Sequence, residues 1–373
     1  MDTKDKDELA SPGVMSPDTT LSPLTIEKEI TDNGTVQVIG PDQEQVPVGV
    51  KPKKSLTPFQ ESLRRLRRDK RAMISLGVII FFILLPIFGP IIYQHIGGTY
   101  SSAFNGNIGP GKYHNPFWQE LDRTDELFSG QYWLGTDGIG RDMFARLMQG
   151  LLVSISVALL VEVVDILLGI TVGVLAGFYG GWIDQVLARF TDIMFAFPGL
   201  LFAILLTGIF GTQADTAFSN LPIIGPNGNA RLLLVSLALA FTAWPLMARY
   251  VRGQTLQLKE QQFIEAARTS GTSDFKIITR HIIPNLFSIV VVASTLNISG
   301  TIIGEAGLSL LGLGVQPPGS SIGLMISDAS QGGNLQVHPW EVLLPSIVLT
   351  IIVLAFSFLG DGLRDAFDPR SKD

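Results

Sequence analysis

The chain has 373 residues, enough for two or three soluble domains, but 46% are hydrophobic and only 16% are charged. That charge content lies well below the roughly 25% usual in soluble domains, so long apolar runs decide the class before length does. The formal net charge of −6 does not mark an acidic surface, because much of the acid sits in the first fifty residues, and the absence of cysteine excludes disulfide frameworks, thiolate nucleophiles and cysteine-ligated metals.

Residues 1–57 scatter Pro12, Pro17, Pro23, Pro41, Pro47 and Pro52 among Asp, Glu, Thr and Gly without sustained periodicity. Such a stretch buries too little apolar surface to offset its ordering entropy, and a disordered, acidic, Pro-rich tail is expected. It does not start basic and turn apolar as a secretory signal does. Residues 58–72 then read as a basic amphipathic helix at the lipid headgroups. Phe59, Leu63 and Leu66 share one face, and Arg64, Arg65, Arg67, Arg68, Lys70 and Arg71 fill the rest.

Six apolar segments follow near 73–95, 151–178, 189–210, 231–251, 284–309 and 343–362. Each has about the 20 residues that roughly 30 Å of hydrocarbon demands. The predicted fold is all-α, a polytopic membrane protein with six transmembrane helices. The second and fifth segments are long enough to tilt or to project beyond the hydrocarbon. Pro198 in the third and Pro245 in the fourth are expected to kink their helices. Residues 96–150 form an extracytoplasmic loop and the entry to the second span, and residues 151–362 hold the remaining five spans. A polar loop at 252–283 joins the fourth span to the fifth, a short interfacial helix is expected near Ile322–Ala329, and residues 363–373 close the chain. With six spans both termini share a side. That side carries the Arg64–Arg71 cluster together with Arg189, Arg249, Arg252, Lys259, Arg268, Lys276, Arg280, Arg364, Arg370 and Lys372. The bias places both termini and the polar loop in the cytoplasm, against which Arg141, Arg146 and Arg231 stand as outnumbered exceptions.

Catalytic signatures are missing. The chain carries no G-x-x-x-x-G-K-[ST] phosphate loop, no strand-borne G-x-G-x-x-G and no His pair at zinc spacing. "GTDGIGRD" pairs Asp137 with Asp142 but lacks the full calcium-loop pattern, and a turn-and-cap role is expected for it.

The polar loop "FIEAARTSGTSDFKIITRHIIPN" is the water-compatible insertion between two spans. A first helix over 258–271 is predicted, with Ile264, Ala266 and Ala267 as a small apolar face and Gly271 as its left-handed terminator. Thr272, Ser273 or Asp274 can cap a second helix, on which Phe275, Ile278 and Ile282 fall at helical spacing. Pro284 then opens the fifth span, where its missing N–H is harmless.

In register, Glu265, Ala266, Ala267, Gly271 and Pro284 resemble the E-A-A-x-x-x-G-x(9)-I-x-L-P loop of ATP-binding-cassette importer permeases. His281 stands where many members have Ile, and Ile283 where many have Leu. "LGTDGIGRDMFARLMQG", "AGFYGGWIDQ", "DIMFAFPGLL", "GEAGLSLLGLGVQPP" and "LGDGLRDAFDPR" are similar to the C-type permease subunit of dipeptide, oligopeptide and nickel importers, over about residues 59–370. The resemblance implies the type I importer permease fold, with the loop helix as a cytoplasmic coupling helix, in a bacterial or archaeal cytoplasmic membrane. It implies a homologous B-type permease, two ABC ATPases that hold ATP and Mg, and an extracytoplasmic solute-binding protein. No cofactor of this chain and no nucleic acid are implied. Nickel or another small solute is the second substrate reading, and a stand-alone secondary carrier the third; a carrier has no reason for a paired-helix loop of this pattern.

Glu162 and Asp165, three apart in the second span, sit where a charge costs about 2.5–3.5 kcal/mol on insertion scales. Such a pair either lines the translocation path and attracts a peptide's ammonium group, or pairs with a group on another subunit. Asp192 and Glu305, near span ends, are expected to cap helices or hold an interface. Gly169, Gly173 and Gly177 recur every four residues, as close helix packing requires.

Overall fold

The computed structural model describes residues 28–30, 36–38, 58–95, 133–138, 140–218, 230–317, 319–331 and 338–368. The chain divides into two compact units, 1–57 and 58–373. In the first, β1 (Lys28–Ile30) pairs antiparallel with β2 (Val36–Val38), placing Lys28 opposite Val38 and Ile30 opposite Val36. The rest of the expected tail lies outside the described residues.

The second unit is helical. A basic helix α1 (Pro58–Arg68) leads into α2 (Lys70–His95), and α3 (Met143–Tyr179), α4 (Gly181–Ala196), α5 (Gly199–Phe218) and α6 (Ala230–Lys259) follow. Then come α7 (Gln262–Thr269), α8 (Asp274–Ile277), a π-turn at Ile278–Ile282, α9 (Ile283–Leu310), α10 (Ile322–Gln331) and α11 (Trp340–Phe367). Among the described residues six helices are long and apolar enough to cross a membrane: Lys70–Tyr93, Met143–Tyr179, Gly199–Ala217, Arg231–Lys259, Asp274–Leu310 and Trp340–Phe367. At 1.5 Å per residue α3 extends about 55 Å, well beyond the hydrocarbon.

The third crossing differs from its expected bounds of 189–210. Pro198 breaks the helix instead of kinking it: α4 ends at Ala196, Phe197 is extended (φ −69, ψ 127), and α5 begins at Gly199. Proline disfavours helical backbone in the residue before it, which is why the interruption falls at Phe197. Pro245, by contrast, lies inside an uninterrupted α6. α4 and α5 run alongside α6 in the opposite direction. Asp184 meets Arg252, Phe190 stacks with Trp244, Gly199 abuts Thr242, Phe202 stacks with Phe241 and Asp215 meets Arg231.

α3 and α6 run parallel and share the closest seam in the bundle. A Cβ on Gly169 would lie 2.4 Å from Met247 Cγ, one on Gly173 2.6 Å from the Ala248 carbonyl oxygen, and one on Gly177 2.7 Å from Thr255 Cβ. The glycine series therefore lets two backbones approach, as its spacing predicts. A second core joins α2, α9 and α11 through Ile79, Phe82, Val292, Ile352, Phe356 and Leu359.

The two ends of the bundle are chemically distinct. Phe59 packs edge-on against Phe287 at 6.0 Å and lies 6.2 Å from Phe367, so α1, the start of α9 and the end of α11 share one end. At the other end Asp142 caps α3 by accepting from the Phe144 and Ala145 amides. There Arg141 and Arg146 both pair with Asp137 and with Asp328 of α10, and Arg231 pairs with Asp215. The three exceptions to the charge bias are each neutralised by a carboxylate. The expected interfacial helix near Ile322–Ala329 is present as α10, but Ile322, Leu324, Met325 and Ala329 are buried. Gly323 allows it to wedge against the Ala306 backbone of α9.

Candidate functional site

The polar loop begins with a two-turn helix. Ile264 of α7 is fully buried in a cluster with Val174, Phe178, Val251, Ile277, Ile282 and Leu286, and Ala267, one turn on, is partly buried beside it. Residues three apart share a helix face, so Ile264 and Ala267 point inward, whereas Ala266 is exposed next to Glu265. The expected single apolar face of Ile264, Ala266 and Ala267 is thereby divided between foundation and surface. The Arg268 guanidinium lies 5.3 Å from the Phe178 ring centre, a cation–π contact onto the end of α3.

Gly271 ends this helix with φ +76. Its N–H donates to the Arg268 carbonyl at 2.9 Å, and the Thr272 N–H donates to the Ala267 carbonyl at 3.1 Å. That pair of bonds is the Schellman terminus predicted from the glycine. No atom lies within 4 Å of a Cβ placed there, so the requirement is conformational and not steric. The predicted helix over 258–271 is shorter than expected, because α6 runs on to Lys259 and α7 starts afresh at Gln262. Ser273 occupies the capping position of α8, but its side chain makes no capping bond.

The second helix carries a phase shift. Ile277 and Ile282 are both fully buried although five residues separate them, and Leu286 and Val290 continue the same face at intervals of four. The π-turn absorbs the extra residue. Pro284, placed in the first turn of α9, cannot donate an N–H to the preceding turn, and the helix widens there instead of breaking. Of the expected face of Phe275, Ile278 and Ile282, Ile282 is buried and Ile278 packs against the same cluster, whereas Phe275 is 77% exposed and Ile277 points inward in its place. Phe263, Glu265, Ala266, Phe275 and Lys276 therefore form the exposed edge of a loop whose inner side is fixed to α3, α6 and α9.

Glu162 and Asp165 are buried where α3 meets α9. Asn297 Nδ2 donates to Glu162 Oε2 at 3.1 Å and to Asp165 Oδ2 at 2.9 Å. Glu162 Oε1 and Asp165 Oδ1 are buried with no hydrogen-bond partner among the described residues. Sequence spacing found the acidic pair but not Asn297, 132 residues away. Asp192 meets Arg249 at 2.8 Å, and both Asp184 oxygens accept from Arg252, one from Nε and one from Nη2, joining α4 to α6. The hydrogen bond from Arg252 holds the Asp184 carboxyl below its ordinary range. Glu305, wholly buried, accepts from Ser154 and Ser309 at 2.7 Å each, and Ser321 donates to Ser309 at 3.0 Å, which ties α3, α9 and the approach to α10 together. Among the described residues no cluster of three His, Cys, Asp or Glu could hold a metal ion.

Residues 169–373 match the family described as "Binding-protein-dependent transport system inner membrane component", and residues 57–110 match the "N-terminal TM domain of oligopeptide transport permease C". The chain is 34% identical over 318 residues to the dipeptide transport system permease protein DppC of Alkalihalophilus pseudofirmus, covering 85% of this chain and 92% of that protein. It is 35% identical over 318 residues to the oligopeptide transport system permease protein OppC of Bacillus subtilis, with the same coverage. It is 37% identical over 323 residues to the glutathione transport system permease protein GsiD of Escherichia coli, covering 87% of this chain and 94% of that one. Among solved structures, an inward-facing form of the MetNI methionine ABC transporter aligns with a TM-score of 0.46 at 19% identity, covering 60% of this chain and 97% of that one.

Proposed function

Because the chain belongs to the family of binding-protein-dependent transport system inner membrane components, we propose that it is a permease through which an ATP-driven importer moves dipeptides or oligopeptides. The observation that carries this reading is the loop at Phe263–Lys276. Its outer edge is exposed and its inner face is locked into three long helices, so a push on the edge reaches the bundle. Glu265, Ala266, Ala267, Gly271 and Pro284 are the coupling residues: Ala266 admits a close neighbour, Glu265 offers a charge, Ala267 and Pro284 seat the loop, and Gly271 turns it.

In this reading a homologous B-type permease completes the path. Two ATPases, holding ATP and Mg, grip the two loops from the cytoplasm, and a solute-binding protein delivers the peptide from outside. The end bearing α1, the loop and the close of α11 faces the cytoplasm, a placement supported by its unneutralised basic residues. Glu162 and Asp165 lie beside the path, and their two unpartnered oxygens are acceptors for a peptide ammonium group once α3 and α9 separate.

The chain has no cysteine, so Ala266→Cys or Phe275→Cys introduces its sole thiol. In membranes containing the partner ATPases, either thiol is expected to cross-link to an ATPase subunit, with a yield that changes on adding ATP. Ile74→Cys, on the exposed apolar belt of α2, is expected not to. Cross-linking from position 74 and from neither loop position overturns the docking role.

A further inference from the structure

We propose that the exposed basic face at the α1–α2 junction, built from Arg64, Arg67, Arg68, Lys70 and Arg71, is a binding site for anionic phospholipid headgroups. All five side chains are exposed, and none is paired with a carboxylate among the described residues. Arg141, Arg146 and Arg231, at the opposite end of the bundle, each have a carboxylate partner.

The face is held rigidly. Leu66, on the opposite side of α1, is buried with Leu363 and Ala366 of α11, and Phe59 rests on Phe287 and Phe367. The Arg65 guanidinium donates to the Asp368 carbonyl at 3.3 Å. At the junction Asp69 accepts from the Arg71 amide at 2.8 Å, and the Asp69 N–H still reaches the Arg65 carbonyl at 3.3 Å, so the helical course barely breaks. Gly362 brings α11 against this junction, where a Cβ would lie 2.5 Å from Ala72 Cβ. Arg64, Arg67, Arg68 and Arg71 therefore keep i, i+3, i+4, i+7 spacing on one stripe of a fixed platform.

Depth selects the ligand. Directly after the basic residues the surface turns apolar, with Ile74 at 68% and Phe81 at 57% exposure, and Phe59 and Leu63 are themselves half-exposed. Cations at the rim of an exposed apolar belt sit at the level of the headgroup phosphates, and an anionic lipid satisfies both at once. An acidic protein surface could answer the charge but not the adjoining apolar side chains.

The test uses the full-length protein in vesicles containing spin-labelled phosphatidylglycerol or phosphatidylcholine, scoring the motionally restricted lipid. The wild type is expected to retain phosphatidylglycerol about tenfold more strongly, with a preference that falls as salt rises. Arg64→Gln/Arg68→Gln should lower that preference several-fold, and Arg64→Gln/Arg67→Gln/Arg68→Gln/Arg71→Gln should remove it. Lys276→Gln/Arg280→Gln, which discharges the loop at the same end, should leave it intact. Equal retention of the two lipids by the wild type overturns the proposal without any variant needing to fold. So does a preference that survives the fourfold change, or a fourfold variant that keeps the preference but loses its protein partners.

Discussion

Ile277 and Ile282, five residues apart, point into the same buried cluster because the helix between them takes one wide turn. The register of the whole loop depends on that extra residue: it turns Ile277 toward α7 and leaves Phe275 outside.

Truncating the foundation should therefore separate from truncating the edge. Ile264→Ala or Ile277→Ala is expected to cost about 2–5 kcal/mol, since each empties a fully buried site. Phe275→Ala is expected to stay within about 0.5 kcal/mol of wild type. Thermal unfolding in detergent measures the first difference. Peptide uptake per ATP hydrolysed, in the assembled transporter, should fall for all three.

Gly271 poses a purely conformational requirement. Gly271→Ala is expected to destabilise by about 1–2 kcal/mol because φ is positive, and Gly271→Asn by less, because Asn tolerates the left-handed region. Gly271→Val should be worse than either. The ordering Asn, Ala, Val in uptake and unfolding temperature checks the assignment; an indifferent ranking refutes it.

Gly173 poses a steric one. The Ala248 carbonyl 2.6 Å from its would-be Cβ belongs to backbone and cannot rotate away. Gly173→Ala is expected to lose more folded protein than Gly271→Ala, and Gly173→Leu to give almost none, as read by yield and fluorescence-detected size exclusion.

The acidic pair separates structural from cargo roles. Glu162→Gln/Asp165→Asn preserves shape and can still accept from Asn297, so assembly should survive. Uptake of cationic peptides is expected to drop several-fold more than uptake of neutral ones. An equal loss for all peptides would deny the pair contact with cargo.

The Asp184–Arg252 pair predicts a pH response outside the membrane. A carboxyl held below its ordinary value contributes stability above its unfolded pKa, near 4, and loses that contribution as pH falls through the lower folded value. Unfolding temperature should thus show no Asp184-dependent change between about pH 6 and 8. The gap between wild type and Asp184→Asn should close only under acid, and its size should be under about 1 kcal/mol.

Much of this architecture was readable from the chain because span length and glycine spacing are local signals. The spacing of Gly173 marks a close seam, and the position of Gly271 marks a left-handed turn. What escaped was tertiary. Composition near Arg141 and Arg146 names a charge anomaly, but the acid that answers it, Asp328, lies more than 180 residues on. Hydropathy runs smoothly from α4 into α5 through Phe197, while the backbone does not. A period of 3.6 puts Phe275 inside, and the π-turn just beyond it interrupts that period. Asn297 could not be matched to Glu162 from periodicity, since amides in an apolar helix carry no address.

The α3–α6 seam has a mechanical meaning. Two long helices, one of them reduced to glycine along the seam so that Met247, Val251 and Thr255 of the other press on its backbone, form one thick strut, and bending stiffness rises steeply with thickness. One end of that strut is gripped by Ile264 through Phe178 and Val251. Near its other end, Ser154 of α3 reaches Glu305. Side chains buried at the loop and side chains at the far end of the bundle are thus carried on one and the same strut.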